Sequence, residues 1–225
     1  MCGRYFIDEY TILNLDNVIE HLERDELSLS RIKYNKQTDE SVVGSTDKST
    51  VTPASTSADK STEIFPTNIA PIISLENNKI QLSAQSWGYP KFDKKGVIIN
   101  ARAETVMEKL TFAEGIRYHR LLIPMAGFYE WNSHKEKISF FRGDSETLFI
   151  AGFYDIFEEE PKFCMITTAS NKSMEATHHR MPLVLENNQL EAWLRDDRYL
   201  ADILAQEPVA LAQDQDYKQL TFFDI

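Results

Sequence analysis

Between residues 9 and 27, apolar side chains recur at helical spacing: Tyr10, Ile12, Leu13, Val18, Ile19 and Leu22. That spacing predicts an amphipathic helix with these residues on its buried face. The pattern then stops. From 37 to 62, 12 of 26 residues are Ser or Thr, and Leu, Ile and aromatics are absent. Such a stretch buries too little apolar surface to offset its ordering entropy, so a disordered surface insertion is expected there.

Short runs of branched and aromatic residues follow, separated by polar turns. "IAPIIS" and "IQLSAQSWGY" predict a strand pair with the Asn77-Asn78 turn between them. "GVIINARAE" predicts another strand, running into a helix from about 104 to 117. "RLLIPMAGFYEW", "KISFFRG", "TLFIAGFYD" and "KFCMITTAS" read as further strands, and the segment from "NNQLEAWL" to "ADILAQ" reads as helical. The expected class is α+β, mainly antiparallel strands with helices around them. The 225 residues are expected to form one domain, with a tail from about 213 to 225.

Composition narrows the function classes. No apolar run reaches membrane-spanning length, and the start lacks a basic region followed by an apolar one, so neither a membrane span nor a secretory signal is expected. Two cysteines, Cys2 and Cys164, make no disulfide framework and suit a reducing, cytoplasmic setting. No Cys/His spacing suits zinc, so neither a metal nor a cofactor is expected. The net charge of −11 argues against general coating of DNA or membranes, but leaves room for a local basic groove.

Four stretches carry candidate chemistry. Removal of Met1 would leave Cys2 with a free α-amine beside its thiol. Ordinary pKa values of about 7.7–8.0 and about 8.5 leave part of each group nucleophilic near neutrality. A 1,2-aminothiol condenses with an aldehyde: the amine forms a Schiff base, and the thiol closes a thiazolidine ring intramolecularly. The alternative is an incidental cysteine on a frayed end. In "INARAE", Asn100, Arg102 and Glu104 alternate, so an extended backbone puts amide, guanidinium and carboxylate on one face. That face is either a site wall or a wet edge. In "GFYEW", Glu130 sits between Tyr129 and Trp131, where desolvation suits it to proton transfer unless the strand simply wets that face. In "THHRMPLVL", His178 and His179 offer acid–base groups and Arg180 a phosphate clamp. Adjacent histidines are expected to point apart, which disfavours a shared metal.

Together these stretches resemble the SOS-response-associated peptidase (SRAP) family. The matching residues are "MCGRY" at the start, "WGYP" at 87–90, "IINARAET" at 98–105, "IPMAGFYEW" at 123–131, "FIAGFYD" at 149–155, "ITTAS" at 166–170 and "HHRMPLVL" at 178–185. The resemblance implies a barrel-like sheet core and recognition of abasic sites in single-stranded DNA. It also implies a covalent thiazolidine link to the ring-opened sugar aldehyde, with an abasic-site lyase side reaction. By position, Cys2 is the bifunctional nucleophile and Asn100 positions the amine and the sugar. Glu130 shuttles protons, and His178 helps open the sugar ring. Arg4, Arg102 and Arg180 would meet the DNA backbone, Trp87 and Trp131 would stack on bases, and Thr167 would contact a phosphate.

The chain departs from the family in lacking its closing motifs, and "FPTNIAP" aligns in two registers, so Asn68 has no assigned role. The end it does have, Gln219, Leu220, Phe222 and Phe223 within "KQLTFFDI", resembles a sliding-clamp-binding peptide. A clamp partner would place a monomer at the nucleoid and replication fork. The rival readings are a thiol peptidase acting through Cys2, or a noncovalent single-strand-binding module.

Overall fold

The structure, a computed structural model, describes residues 2–34, 61–93, 95–144 and 146–215. Most of the expected Ser/Thr-rich insertion and all four clamp-like residues lie outside these ranges. The chain begins with Tyr5–Ile7 (β1) and the helix Glu9–Tyr34 (α1), followed by Thr62–Ile64 (β2), Ile69–Glu76 (β3) and Lys79–Trp87 (β4). Tyr89–Pro90 (β5) and Val97–Ile98 (β6) form a small hairpin, leading to Asn100–Arg102 (β7) and Leu110–Tyr118 (α2). Then come Arg120–Met125 (β8), Gly127–Trp131 (β9), Lys137–Phe141 (β10), Leu148–Phe157 (β11) and Glu160–Ala169 (β12). Arg180–Pro182 (β13), Val184–Leu185 (β14), Leu190–Arg195 (α3), Leu200–Ala205 (α4) and Ala212–Gln215 (β15) complete the described elements.

The class is α+β, as the alternation predicts. One sheet runs β15-β10-β9-β1-β2, all antiparallel. In the other, the pairs β4–β3, β3–β8, β8–β11 and β11–β12 are antiparallel. A short parallel pairing of β12 with β4 returns to the start, making the sheet barrel-like. β7 also runs parallel to β12, pairing Asn100 with Met165 and Arg102 with Thr167. Alternation divides the core. Leu121, Ile123, Ile150, Phe163 and Met165 meet Tyr5, Phe128 and Phe140 of the other sheet. Leu122, Phe149, Phe153, Cys164 and Ile166 pack under Leu15, Ile116, Trp193 and Ile203 from the four helices.

The Asn77-Asn78 turn forms as expected, both residues having positive φ (50° and 64°), which asparagine tolerates and tight hairpins require. Other expectations change. α1 runs past residue 27 to Tyr34, and Asp8 caps it by accepting from the Thr11 N–H at 2.7 Å. Among its described side chains, Thr11, Leu15 and Leu22 are buried, with Val18 and Ile19 packed alongside, whereas Tyr10, Ile12 and Leu13 are exposed. Positions 11, 15, 18 and 22 form one stripe, and the three exposed residues fall outside it.

α2 starts at Leu110 rather than near 104. The Ala103 N–H donates to the Thr167 carbonyl, so the backbone follows β12 instead of winding. "RLLIPMAGFYEW" breaks at Ala126 into strands of different sheets, and the Ala126 N–H donates to the Phe6 carbonyl. Gly127 permits this crossing: a Cβ there would lie 2.5 Å from the Phe140 carbonyl oxygen and 2.6 Å from the Phe6 ring.

Candidate active site

Cys2 is only 1% exposed and belongs to the core between the sheets. Its thiol approaches the Arg4 carbonyl at 3.7 Å. Asn100, fixed on β7, donates from Nδ2 to the Cys2 carbonyl at 2.8 Å. That bond spans 98 residues and ties the start of the chain to β12 through β7. Glu130, on β9, is 5% exposed. Burial first, then the nearby Glu130 charge, push the Cys2 thiol up to about 12, against a weaker pull from a backbone hydrogen bond at Arg4. The sulfur is therefore a neutral thiol at neutral pH. The Asn100 Oδ1 atom is buried without a hydrogen-bond partner among the described residues. Thiol, carboxylate and amide thus converge at one end of β1.

A second group lies along the other edge of β12. Arg180, on β13 opposite Ala169, is 8% exposed. Its guanidinium grips Glu104 with both terminal nitrogens and also donates to the Thr167 carbonyl. The hydrogen bond from Arg180 holds Glu104 below its ordinary carboxylate value. The Arg180 backbone N–H meets His178 Nδ1 at 3.0 Å, which fixes the ring's orientation. The Arg180 carbonyl lies 3.1 Å from the same nitrogen. The His178 and His179 rings stack with centroids 4.4 Å apart, so they do not point apart. The bend before β13 turns them together, and the His178 charge depresses the His179 pKa. Arg102 is exposed nearby, and its charge reaches both Glu104 and His179.

A third group lies on the solvent face of the five-stranded sheet. The Arg4 guanidinium sits 4.4 Å from the Phe65 ring centroid and 5.1 Å from that of Trp131, and pairs with Glu63 at 3.4 Å. Glu63 also holds Lys137 at 2.9 Å, and Lys137 lies 3.6 Å from the Tyr129 ring centroid. Interleaved cations and aromatics of this kind suit a single strand. Trp131, 37% exposed, can offer a ring face.

Two expectations fail on burial. Trp87 is completely buried between Tyr5 and Phe163, and its indole N–H is spent on the Ile99 carbonyl at 3.1 Å, so it cannot stack on a base. Thr167 is likewise fully buried, its hydroxyl donating to the Ala101 carbonyl, and cannot reach a phosphate. Sequence reasoning assigned no role to Glu104, Glu63, Phe65 or Lys137. Glu104 was visible in the "INARAE" alternation, whereas the other three meet only through the pairing of β1, β2, β9 and β10. Among the described residues, no His, Cys, Asp or Glu cluster could hold a metal, and no helix is long and apolar enough to cross a membrane.

Fold and geometry together define an α+β protein whose start is drawn into a buried wall of carboxylate and amide. The chain belongs to the SOS response associated peptidase (SRAP) family, which matches residues 1–222. It is 30% identical over 177 residues to an abasic site processing protein of Saccharomyces cerevisiae, covering 72% of this chain and 47% of that one. The chain thus spans about half the length of the yeast relative. Abasic site processing protein YoqW of Bacillus subtilis is 36% identical over 155 residues, covering 61% of this chain and 69% of its own. Abasic site processing protein YedK of Escherichia coli is 27% identical over 143 residues, covering 58% of this chain and 64% of its own. A crystal structure from Bacteroides thetaiotaomicron superposes with a TM-score of 0.60 at 24% identity, covering 69% of this chain and 78% of that one. One from Bordetella bronchiseptica gives 0.60 at 20%, covering 73% and 90%. These two speak for the fold alone.

Proposed function

We propose that this chain processes abasic sites in single-stranded DNA by forming a thiazolidine crosslink through Cys2 once Met1 is removed. The supporting relatives are abasic site processing proteins. The observation that carries the reading is the Asn100–Cys2 hydrogen bond, which holds an aminothiol-forming terminus beside Glu130. In the proposed reaction the Cys2 amine attacks the sugar aldehyde. The carbinolamine loses water to give an imine, the sulfur adds to the imine carbon, and its proton ends on nitrogen. One water leaves overall. Glu130 carries protons between these steps, and His178 assists opening of the sugar ring. β-Elimination from the same imine would give a lyase side reaction. A thiol peptidase acting through Cys2 would need the sulfur alone, whereas the crosslink also needs the α-amine, so acetylating that amine separates the two readings.

Arg102 on β7, with Arg4 and Trp131 on the outer sheet face, would receive the strand, while Arg180 would act mainly by holding Glu104 and His178. The tail residues Gln219, Leu220, Phe222 and Phe223 would bring a monomer to the sliding clamp at the nucleoid. The test mixes Met1-processed protein with single-stranded DNA carrying one abasic site. Denaturing electrophoresis and intact mass are then read for wild type and Cys2→Ala. A wild-type adduct of thiazolidine mass, absent from Cys2→Ala, is expected. No adduct from wild type, or an equal one from Cys2→Ala, sinks the reading.

A further inference from the structure

Tyr5 is fully buried, yet its hydroxyl has no hydrogen-bond partner among the described residues. Most buried hydroxyls in folded proteins find a partner. Its surroundings suggest one. Tyr5 pairs with Phe128 across β1 and β9, and the ladder continues through the Tyr129 N–H donating to the Arg4 carbonyl at 3.0 Å. Two residues on from Phe128, Glu130 occupies the same buried face, diagonal to Tyr5. The Tyr5 ring meets the Trp87 edge with centroids 5.2 Å apart, and Trp87 is pinned to the carbonyl of Ile99, the residue before Asn100. Tyr5, Glu130 and Cys2 are thus held in one buried wall, and Asn100 adjoins it. Burial, with the Cys2 charge as a second cause, raises the hydroxyl's pKa, so it remains a protonated donor throughout the working pH range.

We propose that the Tyr5 hydroxyl donates a hydrogen bond to the Cys2 sulfur as that sulfur becomes nucleophilic. The inference rests on the aldehyde chemistry proposed above. In the ring-closing step the sulfur–carbon bond forms and the sulfur's proton passes by way of Glu130 to the imine nitrogen. Tyr5 keeps its own proton and stabilises the negative charge in transit. A buried thiol beside a carboxylate stays protonated, and a donor turned toward the sulfur during reaction would counter that.

The test is Tyr5→Phe, which keeps the ring and deletes one oxygen. Thermal unfolding checks that the variant folds, since losing an orphaned hydroxyl should leave Tm unchanged or raised. Single-turnover crosslinking to abasic-site DNA is followed from pH 6 to 10 for both proteins. In parallel, Cys2 alkylation by iodoacetamide is mapped by peptide mass over the same range. The variant should crosslink at least about tenfold more slowly near neutrality, with the rising limb of both profiles moved to higher pH. Equal rates and profiles, or a uniform loss without a shift, overturn the role of Tyr5 and leave the crosslinking reading intact. If wild type fails to crosslink, that reading falls, and the alkylation profiles alone decide whether Tyr5 reaches the sulfur.

Discussion

Asn100→Ala removes the amide that holds the start of the chain. The Asn100 Nδ2 atom lies 2.8 Å from the Cys2 carbonyl and is presented from β7, which is itself bonded to β12. Truncation leaves that carbonyl without its donor, a loss of about 1–3 kcal/mol. If all of it appeared as global destabilisation, Tm would fall by about 2–12 °C for a chain of this size. The lost bond involves the terminus, so much of the effect should appear as local fraying before β1. The same energy, if it holds the nucleophile in place during reaction, corresponds to about a 5- to 160-fold loss of crosslinking rate. The assay is single-turnover crosslinking on denaturing gels, with hydrogen exchange at residues 3 and 4. Asn100→Asp provides a second arm, since a carboxylate facing a carbonyl replaces attraction with repulsion and should lose at least as much. An Asn100→Ala protein with wild-type rate and wild-type protection at residues 3 and 4 would show that the bond does not position the nucleophile.

The two tryptophans should separate stability from binding. Trp87→Ala empties a fully buried site and should cost about 3–5 kcal/mol in urea unfolding. Trp131→Ala should leave unfolding nearly unchanged but weaken single-stranded DNA binding by about 1–3 kcal/mol in fluorescence anisotropy. Glu63→Gln releases Arg4 and Lys137 from a shared carboxylate, so binding to undamaged single strands should tighten several-fold and its salt dependence steepen. The Glu104–Arg180 pair predicts an acid-sensitive loop. A carboxylate with a depressed pKa contributes its full stabilisation above its unfolded value, 4.5, and loses it as pH falls through the lower folded value. Protection against hydrogen exchange across 103–108, corrected for the intrinsic rate at each pH, should therefore fall on acidification below pH 4.5 in wild type, whereas Glu104→Gln should be less protected already at pH 7 and lose that pH dependence.

The strands were legible because runs of branched and aromatic residues alternate between two buried layers, and the Asn77-Asn78 turn carries its own backbone preference. The break at Ala126 was not. It lies inside one apolar run, and only the distant Phe6 carbonyl and the Phe140 contact that excludes a side chain at Gly127 decide it. The site divides the same way. Cys2, Asn100 and Glu130 announce themselves as reactive or polar groups against apolar neighbours. Tyr5 reads as one more core aromatic, because no local pattern reveals whether a buried hydroxyl finds a partner. Arg180 is the sharper case. Its residue type suggests a phosphate clamp, and in isolation the guanidinium could serve as one. In the fold both terminal nitrogens are committed to Glu104, 76 residues away, and the side chain is 9% exposed. An incoming phosphate would have to displace a bidentate carboxylate from a guanidinium that is itself buried against the Thr167 carbonyl. Arg102, exposed on β7, has no bidentate partner among the described residues. In the proposed reaction Arg102 would therefore be the cation better placed to meet DNA, and Arg180 would serve by fixing the loop that carries His178.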